Sequence, residues 1–229
     1  MKQMKRIWFT AILSTALGAP SLGLLCASAA DEAPLKLKLP MPTLKGTPDE
    51  LPKGPNIEKV PDKPPQTPNV PAGVQNVALG KKVTASDKSP ITGELAQVTD
   101  GSKEAFDDQV VEMRKNTQWA QVDLGEEFKI YAIAVWHDHR WIQLYRDVII
   151  QVADDADFTQ NVRTVYNNDM DNSSGQGIGK DKEFFETQYG RVIPVSGEKA
   201  RYVRSYTKGS NLSALNCIQE IEVYALPAK

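Results

Sequence analysis

The sequence predicts an all-β domain, a sandwich or barrel of about eight short strands. Short stretches of alternating or continuous apolar residues recur through residues 74–226, and turn residues separate them. No long stretch shows the apolar period of roughly 3.6 residues that a helix requires. A length of about 150 residues suffices for a single core of this kind.

The first thirty residues have the features of a secretory signal peptide. Lys2, Lys5 and Arg6 precede a mostly apolar run, and the small residues 27–30 supply a cleavage site. We therefore expect an exported protein (periplasmic, cell-surface or extracellular) with no membrane insertion after signal cleavage. A retained membrane anchor and lipidation at Cys26 are the alternatives.

Cleavage would leave Cys217 as the one cysteine, so no internal disulfide is expected. Cys217 lies just before an alternating strand, where a small buried apolar residue is the simple interpretation. A thiol nucleophile is the alternative, and it would need a histidine base brought close in space.

Residues 31–73 have the composition of a disordered, proline-rich linker. Eleven of the fifteen prolines lie between Pro34 and Pro71, and proline at that density excludes helices and sheet interiors. We expect an extended, semi-rigid tether, largely polyproline-like, that could reach on the order of 100 Å. A docking sequence for a partner is the alternative.

Strand signals follow one another from residue 74 onwards. Residues 118–125 end in a Gly turn, and residues 128–136 are apolar on both faces, as in a central strand. Residues 200–206 and 218–225 alternate as half-buried antiparallel strands do. The remaining predicted strands cover residues 81–86, 147–153, 162–166 and 191–195, and residues 76–80 form a short apolar stub before them.

Five stretches occur in an order that is similar to a known family. They are NVALGK (76–81), VTDG (98–101), WAQVDLG (119–125), ARYVR (200–204) and EIEVY (220–224). In this order they resemble discoidin domains, also called coagulation factor 5/8 type C domains, which include the family 32 carbohydrate-binding modules. The resemblance covers residues 74–226. It implies a galactose-binding-like jelly-roll β-sandwich of antiparallel strands that binds sugars, or sometimes phospholipids or proteins, and is usually not catalytic.

The resemblance also implies a structural calcium ion between the Asp-Gly loop and the last strand. The positions that match are Asp100, Ser102 and Glu220. Calcium takes about six to eight oxygen ligands, which include carboxylates and backbone carbonyls. The alternative is that Asp100 only caps its turn and that Glu220 is solvated.

A ligand site is expected where the apolar run of residues 131–136 ends. The residues are His137, His139, Arg140, Trp141 and Tyr145, and the two histidines are the only ones in the chain. Imidazole and guanidinium groups can donate to vicinal sugar hydroxyls, and a ring can pack against the apolar face of a sugar. The alternative is that Trp136 and Trp141 pack in the core or cover its rim while Arg140 pairs with Asp138 or Asp147.

The long polar loop of residues 167–186 is a second candidate, because long loops in compact domains are often functional. Asn167, Asn168 and Asn172 would suit sugar hydroxyls. Asp169, Asp171 and Ser173 have the spacing of an acidic cation loop, but the glycine and distal glutamate of an EF-hand are missing. A solvated loop is the simpler interpretation.

We expect a non-catalytic binding module, monomeric, whose partner is a glycan or glycoconjugate. One alternative is attachment to a surface protein by the same fold, and another is a metal-dependent enzyme that uses His137 and His139, which lack a third histidine for zinc. The net charge of -2 and pI near 5.8 argue against nucleic-acid binding. Neither a Gly-x-Ser-x-Gly elbow nor a phosphate-binding Gly-rich loop is present.

Overall fold

Residues 32–229, which the computed structural model describes, form eleven strands and one short 3-10 helix. The strands are β1 (Glu32–Pro34), β2 (Asn69–Pro71), β3 (Gln75–Asn76), β4 (Lys82–Ala85), β5 (Val111–Met113), β6 (Gln118–Trp136), β7 (Ile149–Ala153), β8 (Arg163–Asn167), β9 (Arg191–Thr207), β10 (Asn216–Ile218) and β11 (Glu220–Pro227), and the helix spans Leu95–Thr99. All strand pairs are antiparallel, so the predicted all-β class is confirmed. The predicted signal peptide, residues 1–30, lies outside the described residues. Within residues 32–229 there is no helix with the length and apolar composition of a membrane span.

The two long strands, β6 and β9, hold the sandwich together. They pair with each other along most of their length, and irregularities interrupt the ladder after Asp123 and after Ile130. β4 flanks the first half of β6 and β11 flanks the second half, whereas β7 joins the second half of β9 and β8 joins β7. The same two strands therefore contribute to both layers.

The sequence predicts two strands where the structure has one, both in β6 and in β9. Bulges absorb the residues between the predicted pieces without ending the ladder. Gly125 has a φ of 89°, which glycine adopts at no steric cost. This glycine, expected to close a strand at residue 125, instead lies within a continuous one.

The main apolar core lies between the two layers, and alternate residues of the strands line it. One layer contributes Ala120, Val122 and Val203, and the other contributes Ile133, Val135, Ile221 and Val223. The intervening residues of the second layer are apolar as well, and Ala132, Ala134, Trp136 and Tyr224 form a separate buried cluster on its outer face. An apolar outer face of this kind requires a cover to be buried.

Residues 32–73, called the strap below, supply that cover. Leu35 and Val70 are buried in the outer cluster together with Trp136, and Leu37 and Leu39 pack against its edge. β1 pairs with β2 at the two ends of the strap. The prediction of a disordered tether is therefore wrong for these residues. Proline prevents a helix or an interior strand, but it leaves an extended chain free to lay alternate side chains on a sheet.

Polar contacts also fix the strap along its length. The N–H of Lys45 donates to the carbonyl of Arg140 at 2.6 Å, and the N–H of Glu58 donates to the carbonyl of Glu183 at 2.9 Å. The guanidinium of Arg191 donates two hydrogen bonds of 2.9 Å to the Glu58 carboxylate, a bidentate arrangement that fixes orientation as well as distance. The strap is therefore part of the folded domain, and it contributes two of the eleven strands.

Cys217 is a buried free thiol, as the simple interpretation predicts. Burial, with the nearby carboxylate of Asp138, raises its pKa to about 12 from an ordinary value of 9.0, which lowers the reactive thiolate fraction about a thousandfold near pH 8. In a Cys26→Ser variant we expect a chromogenic thiol reagent to react at least about 100-fold more slowly with native protein than with urea-unfolded protein. Similar rates in the two states would contradict the burial of this thiol.

Candidate ligand-binding site

Three residues of the predicted ligand site lie in the interior. His137 is stacked on Tyr145 with ring centroids 4.6 Å apart, and its Nδ1 forms a hydrogen bond with the Glu186 carboxylate. Nε2 of His139 donates to the carbonyl of Lys103 at 2.8 Å. All three predicted side chains are buried. The prediction that they contact a ligand is therefore wrong, because the chain turns inward after β6 instead of emerging at the surface.

The same burial removes the basis for a metal enzyme built on the two histidines. His137 and His139 each use a ring nitrogen for a protein partner. Among residues 32–229, neither belongs to a group of three side chains that could hold a metal ion. Their contacts are those of core histidines that anchor neighbouring segments.

Arg140 and Trp141 are also engaged by the protein. The Arg140 guanidinium donates to Asp138 at 2.8 and 2.7 Å and to Asp107, and the hydrogen bonds to Asp138 raise the pKa of Arg140. Trp141 keeps 43% of its surface exposed, but its ring packs so closely on Gly46 of the strap that a Cβ there would lie 2.6 Å from it. These contacts match the alternative in which both residues are structural.

A polar groove lies at the end of the sandwich where β7 begins and where β8 and β9 end. It consists of two hollows of about 500 and about 430 Å³ that share Arg146 and Lys208 as lining residues. The first is also lined by Asn56, Asp147, Asn168, Met170, Asp171, Ser173 and Glu183, and the second by Lys115, Asn116, Ser210, Asn211, Leu212, Ser213 and Ala214. Basic, acidic and amide groups therefore face one shared space.

Short contacts fix the centre of this groove. Nζ of Lys208 donates to the carbonyl of Ser173 at 3.1 Å and lies 3.9 Å from a carboxylate oxygen of Asp147. The hydroxyl of Ser173 donates to the same oxygen of Asp147 at 2.6 Å. The backbones of Arg146 and Lys208 are bonded to each other, since the Lys208 N–H donates to the Arg146 carbonyl at 2.9 Å.

Three carboxylates meet on one side of the groove. Asp147, Asp169 and Asp171 each place an oxygen within 4.8 Å of the others. Burial, together with the negative charges of Asp169 and Asp171, raises the pKa of Asp147. Asp169 accepts hydrogen bonds from the N–H groups of Ser173 at 3.0 Å and Ser174 at 2.9 Å. These are the contacts of a polar loop that bonds to itself, and the cation-loop interpretation stays a hypothesis.

The predicted asparagines have different places. Asn168 lines the groove, although its Oδ1 accepts the N–H of Val148 at 2.7 Å. Asn167 is buried and donates to the carbonyl of Gly177 at 3.0 Å. Asn172 is exposed with a φ of 58° and accepts the N–H of Gly177 at 2.7 Å, which makes it a turn residue. Among the eight predicted ligand residues, Asn168 is therefore the one that reaches the groove.

Sequence reasoning missed most of the groove. Arg146 and Asp147 directly follow the stretch with the histidines, and Lys208 directly follows β9, so polar residues just beyond predicted strands were the available signal. Asn56 has no such signal, because it lies in the strap and the fold alone brings it to this end.

The loop that the resemblance assigns to calcium is closed by protein donors. Asp100 accepts the N–H of Ser102 at 2.7 Å and so caps its turn, while the buried carboxylate of Glu220 accepts the N–H of Gly101 at 3.2 Å. The Gln219 amide donates to the carbonyls of Ser102 and Gln109 at 3.3 and 3.1 Å. A calcium ion needs about six to eight free oxygens, and these residues do not fit that requirement.

Comparisons with known proteins give structural matches alone. No family model matches the sequence, and no curated protein matches it. A chitosan-binding module of a chitosanase/glucanase from Paenibacillus sp. IK-5 is 23% identical, with a TM-score of 0.47, and the match covers 66% of this chain and 98% of the module. A family 32 carbohydrate-binding module from Clostridium perfringens, in complex with GlcNAc-α-1,4-galactose, is 17% identical with a TM-score of 0.46, and the match covers 68% and 96%.

A third match is the lectin domain of lectinolysin in complex with Lewis b antigen. It is 17% identical with a TM-score of 0.46, and the match covers 68% of this chain and 98% of that domain. These structures are of the galactose-binding-like discoidin type, the type that the sequence resembles. The function proposed below rests on the groove and on the sequence resemblance, not on these likenesses.

Proposed function

We propose that this chain is an exported, non-catalytic carbohydrate-binding module whose glycan partner occupies the polar groove. The observation that supports it most is the set of donors and acceptors that face one space: Arg146 and Lys208 donate, Asp147 and Glu183 accept, and Asn168 lies beside them. Sugar hydroxyls donate and accept at neighbouring positions, so a glycan needs both kinds of group in one site.

The groove is held in shape before any ligand arrives. The backbone bond between Arg146 and Lys208 and the contacts of Ser173 fix the positions from which the charged groups project. Lys208 and Asp147, whose side chains these contacts hold, would therefore lose little conformational entropy on binding. Because Met170 and Leu212 are the large apolar side chains that line it, and no aromatic ring does, we expect a modest Kd, on the order of 0.1–1 mM.

Lys208→Ala is expected to weaken binding of a glycan found by array about tenfold or more, because a hydrogen bond from a charged donor contributes about 1.5–3 kcal/mol. Titration calorimetry with that glycan measures the change. Lys180→Ala is the matched control, since Lys180 is an exposed lysine that does not line the groove, and its affinity should equal that of the wild type.

If Lys208→Ala and Arg146→Ala both retain the wild-type affinity and thermal stability, the glycan binds at a surface other than the groove. A protein that binds no glycan on the array would instead support the alternative in which the same fold attaches to a surface protein.

A further inference from the structure

We propose that the ammonium group of Lys103 takes the structural role that the resemblance assigns to a calcium ion, so that the loop of residues 100–109 closes without a metal. This inference concerns the stability of the fold and does not depend on the proposed glycan site. It starts from the misfit between calcium and the residues around Asp100 and Glu220.

Lys103 is a buried cation with a defined partner. Its side chain is 5% exposed, and Nζ lies 2.6 Å from a carboxylate oxygen of Glu222. The second oxygen of Glu222 accepts the hydroxyl of Tyr224 at 2.7 Å, and Nζ lies 5.2 Å from the centre of the Trp136 ring. A buried ammonium is tolerated when it is paired and hydrogen-bonded in this way.

Lys103 brings a positive charge close to the carboxylates of the last strand. Its Nζ is paired with Glu222, and its charge opposes the burial that raises the pKa of Glu220 to about 9. Lys103 lies between the Asp-Gly turn at residues 100–101 and the last strand, and its partner Glu222 is two residues after Glu220 on β11. Side chains at i and i+2 of a strand point to the same face. Glu220 and Glu222 therefore present two carboxylates to this region, and Lys103 supplies a positive charge beside them.

The backbone of the loop is also held by protein groups. Gln219 donates to the carbonyls of Ser102 and Gln109, and His139 donates to the carbonyl of Lys103 itself. Backbone carbonyls are ligands that calcium would use. An amide and an imidazole thus bond to three loop carbonyls, while the ammonium is paired with Glu222 on β11. A divalent cation added nearby would repel that ammonium.

The test is a calorimetric melting experiment on the full chain in millimolar CaCl2 and in EDTA, together with native mass spectrometry for bound metal. We expect the same Tm in both solutions, within about 1 °C, and a protein mass without calcium. Lys103→Met should lower the Tm by roughly 10 °C, because it leaves a buried carboxylate unpaired. Lys82→Met is the matched control, since Lys82 is an exposed lysine of β4, and its Tm should stay within about 1 °C of wild type.

A wild-type Tm that rises by several degrees in CaCl2, or a mass that includes calcium, would overturn the proposal. An unchanged Tm in Lys103→Met would overturn it as well. If Lys103→Met fails to fold, the wild-type comparison between CaCl2 and EDTA still decides between a metal and the ammonium.

Discussion

Leu35→Ala is expected to lower the free energy of unfolding by about 2–4 kcal/mol, although the residue belongs to a segment with the composition of a linker. Leu35 is 7% exposed and packs in the outer cluster with Trp136 and Tyr224. Truncation removes those contacts and leaves a cavity beneath the strap. Urea denaturation followed by tryptophan fluorescence measures the loss, which corresponds to a Tm decrease of roughly 5–15 °C for a domain of this size.

Leu44→Ala is the control within the same strap. Leu44 is 49% exposed, so its truncation should change stability by less than about 0.5 kcal/mol. Limited trypsin digestion gives an independent measurement, because Lys36 and Lys38 alternate with Leu35, Leu37 and Leu39 and should become easier to cleave in Leu35→Ala. Equal stability and equal cleavage in the two variants would mean that residues 32–73 form a detached tether after all.

The strap illustrates why proline content alone is a poor guide to disorder. Proline lacks an N–H and fixes φ, which excludes helices and interior strands, and that part of the prediction holds because the strap has two three-residue strands at its ends and little regular structure between them. The sequence did contain the missing signal. Leu35, Leu37 and Leu39 alternate with lysines, a period of two that is typical of a chain with one buried face.

The strands of the sandwich were predictable because burial on one face imposes alternation. The continuity of these strands was not predictable. Whether Gly125 ends a strand or lies in a bulge depends on the partner strand β9, whose residues paired on either side of this glycine are 70 or more positions away in the sequence. Local patterns therefore locate the two halves of β6 and the two halves of β9. They cannot show that a bulge joins the halves into one continuous strand.

The candidate site was less predictable for a related reason. His137 and His139 are polar residues beyond an apolar strand, and such residues usually lie at the surface. Here Glu186 is bonded to Nδ1 of His137 and the Lys103 carbonyl accepts from Nε2 of His139, so both rings are anchored inside the fold. Nε2 of His137 has no partner among the described residues. The groove that replaces them combines the start of β7, the loop after β8 and the residue after β9, and a sequence without pair information cannot bring these segments together.

The resemblance implies the right place for the Asp-Gly loop, but it does not show which groups hold that loop. The Asp-Gly turn and the last strand do meet, as the Gly101 to Glu220 hydrogen bond shows. Lys103 gives no signal of its role in the sequence, because a lysine is rarely buried and then only with a partner. Its partner, Glu222, is known only once β11 is in place.

Gly190→Ala is expected to destabilise the protein by about 2–5 kcal/mol. Gly190 has a φ of 64°, and an added Cβ would lie 2.5 Å from Nε1 and 2.7 Å from Cδ2 of Trp136. That ring is fully buried and its Nε1 donates to the carbonyl of Gln188 at 3.2 Å, so it has little room to retreat. Overpacking costs about 1–3 kcal/mol, and an alanine at positive φ adds about 1–2 kcal/mol.

Gly175→Ala separates the two contributions. Gly175 has a φ of 78°, and nothing lies within 4 Å of an added Cβ, so this variant should lose only the backbone part, about 1–2 kcal/mol. Urea denaturation of both variants measures the difference, and a shift of the native tryptophan fluorescence in Gly190→Ala alone would report displacement of Trp136. Equal losses of unfolding free energy in the two variants would show that the Trp136 ring and the strap that covers it shift to accommodate the methyl group. The outer cluster would then be packed more loosely than its contacts indicate.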